Sequence, residues 1–159
     1  MNQLRQQRAR EARLYGIVDL GYIAFDDCIG VTRSLLAGGV DILQLRAKNQ
    51  EESEICRLAR LLVPVCHDHG VPFVVNDFTH VALEAGADGV HLGQEDGDLA
   101  GAVAALPEGA LVGRSTHSPA QARAALAEGA SYIGFGPLFP TPTKEGRPGI
   151  GLGDIAEVE

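Results

Sequence analysis

Short apolar segments alternate along the chain with longer stretches in which apolar residues recur every three or four positions. The short segments predict buried β-strands, and the longer stretches predict amphipathic helices. Six strands are predicted, at 14–19, 41–45, 73–75, 89–92 and 110–112 and from Ser131 onward. Helices are predicted at 1–13, 27–37, 79–85 and 118–128, from Asn49 through Val65, in the alanine-rich segment before Pro107, and from Asp154.

Local signals place several of the helix ends. Ser118, Pro119 and Gln121 combine an N-cap, a proline in the first turn and a capping-box glutamine. Asn49, with Glu52 three residues later, has the same spacing and is expected to open the long helix. Pro64 is expected to bend or shorten the end of that helix.

Six consecutive strand–helix units with nearly continuous apolar strands predict a parallel sheet covered by helices. The two candidate folds are a doubly wound sheet and a TIM (β/α)8 barrel. No glycine-rich dinucleotide-binding turn follows the first strand, which counts against the doubly wound sheet. With 159 residues and 45% hydrophobic residues, the chain is expected to form a single domain over 1–159.

Charge and composition limit the partners. A formal net charge of -8 argues against a nucleic-acid groove, which needs a basic field. The arginines near the start fit a leading helix over 1–13 that lies on the body of the protein. No apolar run is long enough to span a bilayer and no secretory signal is seen, so we expect a cytoplasmic protein without a membrane partner. Cys28, Cys56 and Cys66 lack metal-ligand spacing and are expected to be buried thiols.

Polar residues follow every predicted strand after the first. In a barrel these positions share the face on which active sites are found. They are Gln44, Arg46 and Lys48, then Asn76 and Asp77, then Gln94, Glu95 and Asp96, then Ser115 and His117, and finally Thr141 to Lys144.

The cations and carboxylates of this set favour a particular ligand. Arg46, Lys48 and Lys144 in one mouth would suit an anionic substrate, most simply a diphosphate. Asp77 and Asp96 follow neighbouring strands, and one or two carboxylates with phosphate oxygens are a common magnesium site.

Each of these residues also has a structural alternative. Asp77 and Asp96 could cap the helices that follow them, and His117 could simply stand at a helix entry. The loop of Thr141 to Lys144 could be an ordinary polar surface loop. His91 is expected to be a packed, hydrogen-bonded histidine.

Five motifs in order resemble those of the thiamine-phosphate synthase family. They are Gln44-Leu45-Arg46-Ala47-Lys48, Val75-Asn76-Asp77, the segment 89–96 (GVHLGQED), Gly113-Arg114-Ser115-Thr116-His117, and the segment 136–144 (GPLFPTPTK). The resemblance implies a (β/α)8 barrel and a transferase of thiamine biosynthesis. Such an enzyme joins 4-amino-2-methyl-5-(diphosphooxymethyl)pyrimidine to a thiazole phosphate and releases pyrophosphate, so its partners are these small-molecule substrates, without nucleic acid or membrane.

The same resemblance implies roles for individual residues. Gln44, Arg46, Lys48, Asn76, Ser115 and Lys144 would bind the pyrimidine diphosphate, and Arg46, Lys48 and Lys144 would act in catalysis. Asp77 and Asp96 would hold Mg²⁺, and Thr141, Pro142 and Thr143 would contact the thiazole phosphate. The reaction is dissociative: pyrophosphate leaves, and the thiazole nitrogen captures the pyrimidine-stabilised cation.

The chain departs from the family pattern in two ways. Phe78 stands where a polar residue is common, a tolerable change because Asp77 remains. The chain also ends after about six strand–helix units, so we expect a C-terminally truncated barrel whose open sheet edges can pair with another copy. Two other functions stay open: a thiazole tautomerase-like isomerase that uses a histidine at the position of His117, and a non-catalytic ligand-binding fragment.

Overall fold

A computed structural model describes residues 3–140 and 149–158, and seven α-helices and six β-strands lie in these two ranges. The helices are α1 (Gln3–Arg10), α2 (Cys28–Ala37), α3 (Glu52–Asp68), α4 (Thr79–Ala85), α5 (Leu99–Ala105), α6 (Pro119–Ala127) and α7 (Ile155–Val158). The strands are β1 (Tyr15–Asp19), β2 (Ile42–Arg46), β3 (Phe73–Asn76), β4 (Gly89–Leu92), β5 (Leu111–Thr116) and β6 (Tyr132–Phe135). A short 3-10 helix at Phe25–Asp27 leads into α2.

The six strands form one parallel sheet in sequence order from β1 to β6. The predicted parallel α/β architecture is therefore confirmed, with the sheet curled as a six-stranded half-barrel. The complete eight-stranded barrel is not confirmed. β5 is longer than predicted: Arg114 pairs with both Leu92 and Ile133, so the sheet extends past the apolar segment at 110–112.

Alternation along the strands divides the side chains between two faces. Leu43 and Leu45 on β2 belong to the main core between sheet and helices. Ile42 belongs to a second, smaller cluster on the concave face, formed with Val74 and Leu111. Since side chains of a strand alternate in direction, Gln44 and Arg46 share the concave face with Ile42. The inner face is thus apolar at one end and polar at the other.

The leading helix predicted over 1–13 corresponds to α1, which ends at Arg10. Arg5 Nε lies 3.0 Å from Oδ1 of the buried Asp88. Arg8 forms a second ion pair with Asp41 at 3.6 Å and donates to the carbonyl of Val40. These contacts hold α1 against the end of the sheet at which the strands begin.

One expectation for α3 is wrong, and one of the two alternatives for Pro64 is excluded, namely that it shortens the helix. Its N-cap residue is Glu51, without a side-chain capping bond, so Asn49 does not open the helix. The helix also continues past Pro64 to Asp68, because one buried face, with Leu58, Leu62 and Cys66, anchors both sides of the proline and tertiary packing stabilises most helices.

Other local predictions are confirmed. The hydroxyl of Ser118 accepts from the amide of Gln121 at 3.3 Å, and Pro119 stands in the first turn of α6. All three cysteines are buried and unpaired. None of the helices within 3–140 and 149–158 combines the length and the hydrophobicity needed to cross a membrane.

Candidate active site

A cavity of about 820 Å³ opens where the strands end. Its wall includes residues at or just past the carboxyl ends of all six strands, among them Asp19, Arg46, Asn76, Gly93, Ser115 and Phe135. This is the end of a parallel α/β sheet at which ligands commonly bind. The prediction that the strand-end residues share one cavity is therefore supported for the part of the chain described.

Arg46 does not stand alone in this cavity. Its Nη1 lies 2.6 Å from Oδ2 of Asp19, and both side chains are largely withdrawn from solvent. The other oxygen of Asp19 accepts from the amide of Gly21 at 2.9 Å. Asp19 therefore fixes the guanidinium at the cavity wall, a partner that the sequence analysis missed. Asp19 is the last residue of the first strand, whereas the candidate polar residues in the sequence follow only the later strands.

Lys48 joins the two carboxylates predicted to bind metal. Its Nζ lies 3.6 Å from Oδ2 of Asp77 and 3.5 Å from Oδ2 of Asp96. The helix-capping alternatives are excluded, because Phe78 and Asp98 hold the N-cap positions of α4 and α5. The carboxylates of Asp77 and Asp96 thus both contact the ammonium group of Lys48.

Asp77 has the environment of a functional carboxylate. It directly follows β3 and has a φ of 68°, a left-handed conformation uncommon outside glycine and frequent at functional sites. Burial, then the charge of Asp96, raises the pKa of Asp77 to about 6, although Lys48 opposes the shift. Its Oδ1 is buried without a hydrogen-bond partner among the described residues.

These observations fit a magnesium ion. A buried carboxylate oxygen that lacks a donor costs free energy, and a cation would satisfy it. No group of three or more His, Cys, Asp or Glu side chains suited to a metal occurs in the described ranges. Two carboxylates completed by phosphate oxygens and water suit Mg²⁺, which keeps much of its hydration.

A pair of amides lies beside the charged groups. Gln44 Nε2 donates to Asn76 Oδ1 at 3.2 Å, and both residues are buried. The bond uses one of several donors and acceptors on each side chain. The remaining groups offer neutral polar contacts at the cavity wall, which suits a heterocycle with ring nitrogens and an amino group.

Ser115 stands at the other side of the cavity. Its hydroxyl lies 3.0 Å from Nε2 of His91, and Nδ1 of His91 lies 3.1 Å from the hydroxyl of Tyr132. The expectation that His91 is packed and hydrogen-bonded is confirmed. Tyr132, which β6 places on the inner face, was missed because its apolar neighbours made it look like a core residue.

His117 also lines the cavity. Its amide donates to Oε1 of Gln121 at 2.7 Å, and its Nδ1 contacts the carbonyl oxygen of Gly136. His117 therefore stands at the entry to α6, as the structural alternative expected, and at the same time lines the cavity. Its predicted role in a tautomerase stays a prediction.

The structure brings together most of the predicted site. Gln44, Arg46, Lys48, Asn76, Asp77, Asp96 and Ser115 all line the one cavity. The predicted contacts of Thr141, Pro142, Thr143 and Lys144 lie outside the described residues, so the thiazole-phosphate loop and the third cation stay predictions.

Comparison with known proteins points to a single family. The family model for thiamine monophosphate synthase matches residues 14–159. A thiamine-phosphate synthase of Gloeobacter violaceus is 43% identical over 145 residues, which are 91% of this chain and 41% of that protein. A protein of the same name from Thermus thermophilus is 47% identical over 121 residues, 76% of this chain and 58% of its own length.

Solved structures agree with this similarity. The thiamine phosphate pyrophosphorylase of Pyrococcus furiosus superposes with a TM-score of 0.74 at 31% identity, covering 88% of this chain and 65% of its own. The chain therefore spans less than two thirds of these three relatives. The match of the family model to residues 14–159 nevertheless assigns the family. The chain belongs to the thiamine monophosphate synthase family.

Proposed function

We propose that this chain carries a Mg²⁺-dependent thiamine-phosphate synthase site, of which the described residues form the pyrimidine-diphosphate half. The reaction joins 4-amino-2-methyl-5-(diphosphooxymethyl)pyrimidine to a thiazole phosphate and releases pyrophosphate. One observation carries the proposal: Lys48 lies between Asp77 and Asp96 in the cavity that Arg46 also lines. A cation site beside further basic side chains suits a metal-bound diphosphate.

The residues divide the work between binding and charge. Gln44 and Asn76 offer amide groups to the pyrimidine, while Arg46, Lys48 and Ser115 offer charge and hydrogen bonds to the phosphate oxygens. Asp77 and Asp96 would hold Mg²⁺, which when bound supplies positive charge for a leaving pyrophosphate. Departure of pyrophosphate leaves a cation stabilised by the pyrimidine ring, and the thiazole nitrogen attacks it, so the chain needs no side-chain nucleophile.

The balance of charges in the cavity affects which form of the substrate can bind. Among the described residues, two basic side chains, Arg46 and Lys48, and four acidic ones line the cavity, the latter being Asp19, Asp77, Glu95 and Asp96. Asp19 also neutralises part of the charge of Arg46. A bare diphosphate would meet net repulsion there. A diphosphate that arrives with Mg²⁺ would not, which explains why the metal and the substrate are expected to bind together.

Product formation tests the proposal. The purified chain is mixed with the pyrimidine diphosphate, the thiazole phosphate and MgCl₂, and thiamine phosphate and pyrophosphate are measured. We expect both products, and we expect Asp77→Ala to abolish them while Asp98→Ala, an exposed residue outside the cavity, leaves them unchanged. Isomerisation of the thiazole phosphate that needs His117 but not Asp77 would instead favour the tautomerase. Binding of the pyrimidine diphosphate without turnover would favour a non-catalytic domain.

A further inference from the structure

A chain of hydrogen bonds crosses the inner face of the sheet and ends at Ser115. Tyr15 on β1 and Tyr132 on β6 join through their hydroxyls at 2.9 Å. The hydroxyl of Tyr132 lies 3.1 Å from Nδ1 of His91, and Nε2 of His91 lies 3.0 Å from the hydroxyl of Ser115. Four strands thus contribute one side chain each to a continuous line of polar groups.

A glycine in the sheet makes room for this line of hydrogen-bonded side chains. A Cβ atom on residue 113 would lie 2.6 Å from Nδ1 of His91 and would collide with Tyr132 as well. Gly113 therefore leaves the space that the imidazole and the phenol share. Burial raises the pKa of Tyr15 and of Tyr132, so both phenols keep their protons at neutral pH and each has one O–H to donate.

Counting protons limits how the line can be ordered. A neutral imidazole has one donor nitrogen and one acceptor nitrogen, and each hydroxyl has a single proton. When Tyr132 donates to His91, Nε2 must carry the imidazole proton and donate to Ser115. When Tyr132 donates to Tyr15 instead, His91 donates to Tyr132 and Ser115 must donate to His91. Only in the first order can the hydroxyl of Ser115 donate its proton to a ligand in the cavity.

A diphosphate ligand is compatible with only one of these two orders. Phosphate oxygens accept hydrogen bonds and do not donate them at neutral pH, so Ser115 can bind a diphosphate only as a donor. We propose that Tyr132 and His91 set the proton order that makes Ser115 a hydrogen-bond donor to the diphosphate. His91 and Tyr132 are then positioning residues that act through Ser115. The proposal rests on the proposed function, because it takes a diphosphate as the ligand.

Nitrogen NMR of the imidazole observes the order directly. The chain is labelled with ¹⁵N-histidine, the His91 signals are assigned with His91→Gln, and MgCl₂ with inorganic pyrophosphate is added. We expect Nε2 of His91 to be protonated and Nδ1 to be the acceptor nitrogen. This measurement uses the unaltered chain, so it stands even if a variant fails to fold.

A double-mutant cycle shows whether Tyr132 acts through Ser115. Tyr132→Phe should weaken pyrophosphate binding in the presence of Mg²⁺ by about three- to tenfold, the usual range for one neutral hydrogen bond. The same change in Ser115→Ala should have no further effect, whereas a purely structural role would weaken binding equally in both. Tyr15→Phe should change affinity by about twofold or less, because Tyr132 can still donate to His91.

The outcomes separate the two proposals. If pyrophosphate binds but Nδ1 of His91 carries the proton, or if the Tyr132 and Ser115 effects add, the proton order is wrong while the diphosphate site stands. If pyrophosphate with Mg²⁺ does not bind at all, the proposed site is wrong and the order falls with it. Both proposals are supported if pyrophosphate binds with Mg²⁺, if Nε2 of His91 is protonated, and if Tyr132→Phe has no further effect in Ser115→Ala.

Discussion

Nη1 of Arg46 lies 2.6 Å from Oδ2 of Asp19, across the first two strands of the sheet. The two residues are register partners, the last of β1 and the last of β2. The arginine expected to meet a diphosphate is therefore already held by a carboxylate from the neighbouring strand. Its position is fixed before any ligand binds, which lowers the entropic cost of ordering a long side chain.

The Arg46–Asp19 ion pair predicts that removing the arginine alone destabilises the fold more than removing both charges. Arg46→Met leaves Asp19 as a largely buried carboxylate without its counter-charge, so we expect a loss of about 1–2 kcal/mol in the free energy of unfolding. Adding Asp19→Asn removes the stranded charge and should restore more than half of that loss. Urea unfolding of the two single variants and the double variant measures both effects. A double variant less stable than Arg46→Met would show that the ion pair is not what stabilises this corner.

The position of Lys48 predicts opposite effects on the metal and on the anion. With its ammonium 3.5–3.6 Å from both carboxylates, Lys48 competes with Mg²⁺ in the absence of a diphosphate. Lys48→Met should therefore bind Mg²⁺ alone about two- to tenfold more tightly, the range that two partly exposed ion pairs provide. Pyrophosphate in the presence of Mg²⁺ should bind more weakly. Calorimetric titrations give both constants.

Arg57→Met is a matched control for Lys48→Met. Arg57 pairs with Glu54 on the exposed surface of α3, so this change removes one positive charge from the whole chain but none from the cavity. It should leave both affinities within about twofold, because Arg57 is exposed and does not line the cavity, and salt in the solvent screens exposed charges. If Arg57→Met tightened Mg²⁺ binding as much as Lys48→Met, net charge rather than competition would explain the result.

Sequence reasoning located the charged part of the site because strand ends in a parallel sheet meet at one edge. Asp77 and Asp96 could be paired on that basis alone. Tyr15 and Tyr132 could not, since their contact joins residues 117 positions apart and depends on how far the sheet curls. Curvature follows from the packing of the whole sheet, and an apolar pattern fixes only the face on which a side chain lies.

The helix errors have a similar origin. Local signals predicted the start of α6 at Ser118 because the capping bonds there use residues close in sequence. They did not decide whether Pro64 would shorten α3. The helix continues past it because the buried face of α3 outweighs the lost backbone hydrogen bond. Propensity is a weak prior wherever a long apolar face can pack.

Two glycines on the inner face predict different tolerance of a methyl group. A Cβ on residue 113 would lie 2.6 Å from Nδ1 of His91, whereas a Cβ on residue 134 would lie 3.5 Å from Cε1 of the same ring. Gly113→Ala should therefore lower the free energy of unfolding by about 1–3 kcal/mol through overpacking. Gly134→Ala should change it by less than about 1 kcal/mol. Equal losses in urea unfolding would mean that backbone flexibility, and not the crowded imidazole, sets the effect.

The raised pKa of Asp77 predicts a stability difference that changes with pH. Burial and the charge of Asp96 raise this pKa to about 6, above the ordinary aspartate value of about 4. The folded state therefore holds this proton more tightly than the unfolded chain, so the ionised form weakens the apo protein above pH 6 and the penalty disappears as pH falls towards 4. Asp77→Asn mimics the protonated form and tolerates the left-handed backbone.

We therefore expect Asp77→Asn to be more stable than the unaltered chain by roughly 1–3 kcal/mol at pH 8, and by less than about 1 kcal/mol at pH 4. Urea unfolding at the two pH values, without metal, measures the difference. Magnesium should reverse the order at pH 8, because a bound cation stabilises the ionised carboxylate and cannot be held as well by an amide. A difference that is the same at both pH values would show that Asp77 keeps an ordinary pKa. A difference that Mg²⁺ leaves unchanged would remove Asp77 from the proposed metal site, since a ligand that binds only the folded state must stabilise the chain that holds it.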